Sequence, residues 1–198
     1  MPTNLFSLLA YVLISTFTPG PSNISSAATG VLYGYKNTLN YQGGLAVGVF
    51  LVMLCSGWIS TTLLSLFPAL EPTLRYIGAG YILYLAGGML KASYHFTDKE
   101  VKPLGFLHGL ALQLLNPKLF IYAFTVFTAF LAPLTAHGLL VALAALLLAA
   151  ISFGATSVWA WGGTAIRAYL YQPRLTVTIN VILSLFLVYA AIALVGVI

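Results

Sequence analysis

The feature that most constrains this chain is the length of its stretches without a charged side chain. The first charged residue is Lys36, and the later charge-free stretches are Asn37–Leu70, Tyr76–Leu90, Pro103–Pro117, Leu119–Ile166 and Leu175–Ile198. One helical crossing of a bilayer needs about 20 apolar residues. Only 6% of the 198 residues are charged and 61% are hydrophobic, whereas a soluble domain carries roughly a quarter charged residues. The sequence therefore predicts an all-α, polytopic membrane protein.

The charge-free stretches divide into six predicted transmembrane helices. These are expected at roughly 5–33, 39–67, 73–93, 104–130, 138–165 and 175–197. The stretch 119–166 is too long for one crossing, and Pro133 with His137-Gly138 is the natural turn within it. We expect a single transmembrane domain over residues 1–198. It would contain one three-helix repeat at about 1–93, a cytoplasmic linker at about 94–103 and an inverted second repeat at about 104–198.

Basic residues in the loops predict the orientation. The loops after predicted helices 1, 3 and 5 hold Lys36, Lys91, Lys99, Lys102, Arg167 and Arg174. The opposite side holds only Arg75 among the loop basic residues. Because loops rich in Lys and Arg stay in the cytoplasm, both termini are expected outside. This loop bias accounts for the net charge of +5, so no nucleic-acid partner is expected.

Predicted helix 1 is interrupted by the sequence Thr-Pro-Gly-Pro-Ser-Asn at residues 18–23. The two prolines have no amide hydrogens for the carbonyls of Ser15 and Phe17, so an arriving helix must break there. A new helix can restart at once, with Thr18 as its N-cap and Pro19 at its first position. The simpler alternative is a turn or kink whose freed carbonyls are satisfied by neighbouring helices.

Predicted helix 4 is interrupted in the same way by Asn116-Pro117-Lys118. Pro117 removes the helical donor to the carbonyl of Gln113, and Asn116 can cap a new helix. Two proline-interrupted helices at matching positions of inverted halves indicate the central binding site of a transporter. Lys118 would then lie near mid-membrane, where a lysine costs roughly 2.5–3.5 kcal/mol, so it should face an aqueous cavity. If the helix boundary is misplaced, Lys118 lies at an interface instead.

The residues around the two breaks suit a small zwitterion. Half-helix amino ends, the amides around Ser22, Asn23 and Leu119, and the Lys118 ammonium favour a carboxylate. The freed carbonyls, together with polar side chains, can accept from an ammonium group, and Tyr11 and Tyr122 offer aromatic faces to a cation. The predicted substrate-binding residues are Thr18, Pro19, Gly20, Pro21, Asn23, Gln42, Gln113, Asn116, Pro117 and Lys118.

The acidic residues restrict both substrate and coupling. All three, Glu71, Asp98 and Glu100, lie in predicted loops. No carboxylate is expected to neutralise a dibasic substrate, so small neutral amino acids are favoured, and the usual acidic proton relay is missing. If transport is coupled to protons, Lys118 or His108 must carry the proton, or the substrate must exchange its own. No metal or other cofactor is expected, because the histidines lie on separate segments and Cys55 is the single cysteine.

These motifs resemble the LysE/RhtB superfamily of bacterial amino-acid exporters. The resemblance rests on Thr-Pro-Gly-Pro-x-Asn at 18–23, the glycines at 30, 34, 43, 44 and 48, and Asn116-Pro117-Lys118. Val52-Met53-Leu54-Cys55 and the ending around Leu187–Ala191 are most similar to the cysteine/O-acetylserine efflux branch. The resemblance implies efflux of small amino acids or derivatives across the bacterial inner membrane, driven by the proton gradient.

Two other classes of function are alternatives to a secondary exporter. A passive channel or facilitator should show a continuous polar stripe, whereas polar residues here concentrate at the breaks. An intramembrane enzyme would need paired carboxylates, a histidine cluster or an activated nucleophile, and the sequence offers none at depth, so the chain is not expected to be an enzyme. The glycines Gly30, Gly34, Gly44, Gly48, Gly78, Gly80, Gly87 and Gly88 predict close helix packing, within the monomer or in a homodimer.

Overall fold

The computed structural model describes residues 5–59, 76–77, 79–88, 90, 103–169 and 173–195. Its α-helices are α1 (Leu5–Phe17), α2 (Pro21–Tyr33), α3 (Tyr35–Trp58), α4 (Phe106–Leu114), α5 (Pro117–Thr125), α6 (Gly138–Tyr169) and α7 (Pro173–Val195). Residues 79–88 are also helical. A π-helical turn, Val126–Phe130, extends α5, and a 3-10 turn, Ala132–Ala136, precedes α6. No strand occurs in these ranges, as the all-α prediction requires.

Four stretches of the described chain are long and apolar enough to cross a membrane. Helices α3 and α6 qualify alone, and two bent pairs qualify if each pair is one span. The pair α1–α2 is bent by 49° and the pair formed by α4 and residues 117–130 by 63°. These four correspond to predicted helices 1, 2, 4 and 5, and the turn predicted around Pro133 is confirmed.

The rest of the predicted six-helix plan is only partly described. Helix α7 covers most of predicted helix 6, and residues 79–88 lie within predicted helix 3. The ends of predicted helix 3, and the predicted linker apart from Pro103, lie outside the described residues.

Helices α2 and α6 pack at backbone distance through small residues. A Cβ atom added to Gly30 would collide with the carbonyl oxygen of Ala160, and one added to Gly163 would collide with that of Ala27. Small residues let helices in lipid approach closely, because packing there replaces the hydrophobic drive. The close-packing role predicted for Gly30 is thus confirmed, and it lies within the chain.

Helices α3 and α4 pack in the same way. A Cβ atom on Gly44 would collide with the carbonyl of Phe106, and one on Gly109 with that of Tyr41. A Cβ atom on Gly48 would lie 2.6 Å from the Cβ of Gln113. Glycines on both helices therefore bring the end of α4 against α3.

The packing role predicted for five other glycines is not seen or lies outside the described residues. Gly34 joins α2 to α3 with φ 77°, a left-handed value that favours glycine because it has no Cβ. Added Cβ atoms on Gly80, Gly87 and Gly88 would meet no described atom within 4 Å, so the described residues show no packing contact at these three. Gly78 is outside the described residues.

Two buried apolar clusters flank the breaks. One joins α2, α3, α4, residues 79–88 and α7, and is centred on Leu45, Tyr41 and Leu112. The other joins α1, α3, α5 and α6, and includes Val49 and Phe127. In each bent pair one half-helix contributes to the first cluster and the other half-helix to the second. The breaks therefore lie where the two clusters meet.

Candidate functional site

The first break is three residues long and differs in detail from the prediction. Helix α1 ends at Phe17 and α2 begins at Pro21, with Gly20 as N-cap. The predicted cap at Thr18 and start at Pro19 are therefore wrong. The cause is Pro21, which disfavours a helical conformation in the residue before it. Gly20 is accordingly extended, with φ −168° and ψ 176°, and Pro21 takes the first helical position, where its missing amide costs nothing.

The carbonyls at the end of α1 are not left free. The Asn23 side-chain amide donates to the carbonyl oxygens of Thr16 at 2.7 Å and Thr18 at 3.0 Å. The indole of Trp159 on α6 donates to the carbonyl of Phe17 at 3.3 Å. The prediction that the Phe17 carbonyl would be available to substrate is thus wrong, because a side chain of α6 occupies it.

At the second break the predicted helix cap is present, but the carbonyl that was predicted to be unpaired has a hydrogen-bond donor. Helix α5 begins at Pro117, and the Asn116 side chain accepts from the backbone amide of Lys118 at 3.1 Å. The predicted cap is confirmed. The carbonyl of Gln113 accepts from the Asn116 amide at 3.1 Å, so a tight turn satisfies the oxygen that Pro117 was expected to leave unpaired.

The two breaks contact each other directly. The Lys118 ammonium donates to the carbonyl oxygen of Thr18 at 3.4 Å. The Ser22 hydroxyl donates to the side-chain oxygen of Gln113 at 3.0 Å. The Asn116 side-chain amide lies 3.2 Å from the same Gln113 oxygen and 3.5 Å from the Ser22 hydroxyl. Residues far apart in sequence thus form one polar network between the half-helices.

A cavity of about 60 Å³ lies at this junction. It is lined by Ser15, Thr16, Thr18, Gly20, Pro21, Ser22, Asn23, Val49, Gln113, Asn116, Lys118, Leu119, Tyr122, Ser152 and Thr156. Its charged group is the Lys118 ammonium, and no acidic side chain of the described chain lines it. The cavity therefore combines one cation with hydroxyls and side-chain amides.

Most of the predicted binding residues lie at this cavity, and three do not. Pro19 and Pro117 belong to the breaks without lining the cavity. Gln42 is fully buried beside it, where its side-chain oxygen accepts from Ser157 at 2.9 Å and Thr156 at 3.4 Å. Gln42 thus supports a cavity residue from behind instead of reaching the cavity itself.

The other predicted contacts divide between the cavity and its surroundings. The ring of Tyr11 stacks on that of Tyr122 at 5.8 Å and on Phe130 at 5.5 Å, and of these three only Tyr122 lines the cavity. The imidazole of His108 accepts from the Gly105 amide at 3.3 Å at the start of α4. Of the two predicted proton carriers, Lys118 is at the cavity and His108 is not.

Sequence reasoning did not find the contribution of α6. Ser152 and Thr156 line the cavity from this helix, and Val49 lines it from α3. The signal was available, because Ser152 and Thr156 are polar residues four apart in a long apolar stretch, and residues at that spacing share one helix face. Thr16, also unpredicted, completes the α1 side.

The chain was compared with protein families and curated proteins. The profile of the family described as LysE type translocator matches residues 13–196. The chain belongs to the LysE family. The matched range includes both breaks, the Lys118 position and the helices that surround the cavity.

Relatives within the LysE family cover almost the whole chain. A cysteine/O-acetylserine efflux protein of Klebsiella pneumoniae is 33% identical over 195 residues, which is 98% of each chain. Proteins of the same description from Salmonella typhimurium and Escherichia coli K12 are 32% and 31% identical, each over 96% of this chain and 97% of the relative. No solved structure gives a significant match. LysE membership and the apolar helices identify a multi-pass membrane transporter.

Proposed function

We propose that this chain exports small neutral amino acids or their derivatives from the cytoplasm as a secondary-active transporter of the bacterial inner membrane. The observation that carries the proposal is the meeting of Lys118 with the first break at a cavity that no described acidic residue lines. The names of the relatives, cysteine/O-acetylserine efflux proteins, support the substrate class and the direction of transport.

The carboxylate of the substrate would bind beside Lys118. The amino ends of α2 and α5 both start at the cavity, at Pro21 and Pro117. Each helix amino end carries a partial positive charge of about half a unit, and the ammonium adds a full charge. The amides of Lys118 and Leu119 already donate to Asn116, so the second break would act through its helix charge and the Lys118 ammonium. Attraction of the carboxylate by these charges is the role we assign to the two breaks.

The ammonium group of the substrate would bind to neutral acceptors. The carbonyl of Ser15 loses its helical donor at Pro19, and Ser15 lines the cavity. The amide nitrogen of Asn23 is committed to two carbonyls of α1, which leaves its side-chain oxygen as an acceptor. A second positive charge would find no carboxylate among the described residues that line the cavity, so we expect the site to favour neutral amino acids over lysine or arginine.

The size of the cavity favours small substrates. A cavity that holds one water molecule has a volume of roughly 10–15 Å³. The volume of about 60 Å³ therefore corresponds to several water molecules. An amino acid with a short side chain needs little further opening. A large aromatic or long aliphatic amino acid would have to displace the packed residues of the second apolar cluster.

Transport would proceed by alternating access around the breaks. In the proposed orientation, α2 and α4 form the cytoplasmic halves of the bent pairs, and these are the half-helices packed at backbone distance on α6 and α3. The outer half-helices α1 and α5 meet through side chains, as in the stacking of Tyr11 on Tyr122. The closer packing of the cytoplasmic half-helices supports a structure closed towards the cytoplasm. The outer half-helices, which meet through side chains, would then move more easily.

The direct test is transport by purified protein in proteoliposomes. Labelled cysteine, O-acetylserine, serine, alanine, lysine and arginine would be compared with and without a pH gradient. We expect saturable transport of the small neutral compounds, stimulated by the gradient, and much weaker transport of the dibasic ones. Equal transport of lysine and alanine, or no transport of any compound, would contradict the proposal.

The alternative of a passive channel is separated by counterflow. A carrier exchanges internal unlabelled substrate for external labelled substrate, so the label accumulates transiently above its equilibrium level. A channel gives no such overshoot. The concentration of the cavity's polar groups at one junction supports the carrier.

A further inference from the structure

We infer that Tyr122 determines substrate specificity, with its hydroxyl binding the polar atom of the substrate's side chain. The inference rests on the proposed function and names the part of the cavity that recognises the side chain. Tyr122 is 7% exposed and lines the cavity. Its hydroxyl finds no hydrogen-bond partner among the described residues.

An unpartnered hydroxyl at this depth needs an explanation. Burying a hydroxyl without a hydrogen bond costs roughly 1–3 kcal/mol, and phenylalanine would fill the same space without that cost. A fully buried tyrosine of the same protein shows the usual solution, since the hydroxyl of Tyr41 lies 2.7 Å from that of Ser25. The Tyr122 hydroxyl lacks such a partner, and because Tyr122 lines the cavity we expect a bound molecule to supply one.

Other hydroxyls of the cavity are already committed or can be hydrated. Thr16, Ser22 and Thr156 donate to protein acceptors at 2.7 Å, 3.0 Å and 3.1 Å. Ser15 and Ser152 are only half-buried, so water can satisfy them when the site is empty. Among the described lining residues, Tyr122 thus carries the hydroxyl that is both deeply buried and uncommitted.

The spacing along α5 fits a small amino acid. Lys118 and Tyr122 are four residues apart on one helix face, which is a rise of about 6 Å at 1.5 Å per residue. A carboxylate held at Lys118 therefore places a short side chain within reach of the Tyr122 hydroxyl. The Tyr11 ring stacked on Tyr122 at 5.8 Å limits movement of the phenol.

A phenol can donate to a hydroxyl or ester carbonyl and accept from a hydroxyl or thiol. A site built to form such a bond discriminates against the analogue that lacks the polar atom, because the buried group is then left unpaired. The chemical class favoured by Tyr122 is therefore the amino acid with a hydroxyl, thiol or ester on a short side chain, over its purely aliphatic isostere.

The test measures preference within two matched pairs, serine against alanine and cysteine against 2-aminobutyrate. Initial counterflow rates in proteoliposomes would be measured for wild type, Tyr122→Phe and Tyr41→Phe. We expect wild type and Tyr41→Phe to prefer the polar member of the pairs, and Tyr122→Phe to lose roughly tenfold of that preference. Transport of the aliphatic members by Tyr122→Phe should fall less than transport of the polar members.

A second readout separates recognition from structure. Melting temperatures in detergent should fall for Tyr41→Phe, which loses its bond to Ser25, and rise for ligand-free Tyr122→Phe, which no longer buries an unpaired hydroxyl. Added serine should raise the melting temperature of wild type more than alanine does, and raise that of Tyr122→Phe equally with alanine.

The negative outcomes are distinguishable. An unchanged preference in Tyr122→Phe, no preference in wild type, or an equal loss for both members of a pair would overturn the role of Tyr122 while leaving the proposed transport intact. A wild-type protein that transports none of the four amino acids would overturn the proposed function and this inference together.

Discussion

The ammonium nitrogen of Lys118 lies 3.4 Å from the carbonyl oxygen of Thr18, although the two residues are 100 positions apart in the chain. A Cβ atom added to Gly20, in the same break as Thr18, would lie 3.2 Å from that nitrogen. A single cation thus spans the gap between the two bent pairs. A substrate carboxylate at the ammonium would compete with the Thr18 carbonyl, which would couple binding to the contact between the halves.

Restoring the helix at the second break should impair transport. In Pro117→Ala the new amide can donate to the carbonyl of Gln113, which now accepts from Asn116, and the tight turn that presents Lys118 would straighten. Small displacements at a binding site are costly, so we expect transport to fall on the order of tenfold to a hundredfold.

Pro133→Ala is the matched control for this variant. Pro133 is exposed in the 3-10 turn before α6 and is not among the residues that line the cavity. Efflux kinetics of both variants and of Pro19→Ala would be measured at equal membrane abundance. Wild-type kinetics in both Pro19→Ala and Pro117→Ala would contradict a role of the two breaks in transport.

The positions of the two breaks could be predicted from the sequence because proline has local effects. A missing amide and a fixed φ disrupt a helix whatever surrounds it, and the Asn116 cap is equally local. The partners of the freed carbonyls could not be predicted in the same way. The carbonyl of Phe17 is paired with Trp159, a contact across 142 residues that depends on how the helices pack.

The role of Gln42 shows the same limit. A polar residue in an apolar helix is a reasonable candidate for a binding site. The helix face on which it lies decides whether it contacts the substrate or a neighbouring helix. Gln42 points to Ser157 and Thr156 on α6, and only Thr156 of these three residues lines the cavity. The sequence alone does not show which face of a helix lines the cavity, because this depends on the position of the neighbouring helix.

Gln42→Leu should therefore reduce stability more than substrate affinity. The substitution removes the acceptor of the half-buried Ser157 hydroxyl, and the net loss of such a hydrogen bond costs about 0.5–1.5 kcal/mol. We expect a lower melting temperature in detergent and less than about a threefold change in KM. A large rise in KM at unchanged stability would instead make Gln42 a direct substrate contact.

Gly30→Ala should destabilise the protein by about 1–3 kcal/mol, because the added methyl group collides with the backbone of Ala160. Gly154→Ala is the matched control, since a Cβ atom there meets nothing within 4 Å among the described residues. Melting temperatures in detergent would be compared. Equal stability of the two variants would contradict backbone-distance packing of α2 on α6.

Single-cysteine labelling should report the proposed orientation. In a Cys55→Ser background, Lys36→Cys would lie on the cytoplasmic side and His137→Cys on the outer side; both positions are exposed. A membrane-impermeant maleimide added to intact cells should label the second variant and leave the first unlabelled until the cells are opened. The reverse pattern would invert the orientation.

The most direct measurement of the central claim is counterflow of labelled serine or cysteine by Lys118→Ala in proteoliposomes. Loss of a charged hydrogen-bond donor to a bound carboxylate should lower the initial rate at low substrate by at least about tenfold. Lys36→Ala, which removes an exposed basic residue at the start of α3, should retain wild-type rates. We expect this difference in counterflow rate between the two variants at equal amounts of protein in the liposomes. A wild-type rate of counterflow by Lys118→Ala would contradict binding of the substrate carboxylate at Lys118.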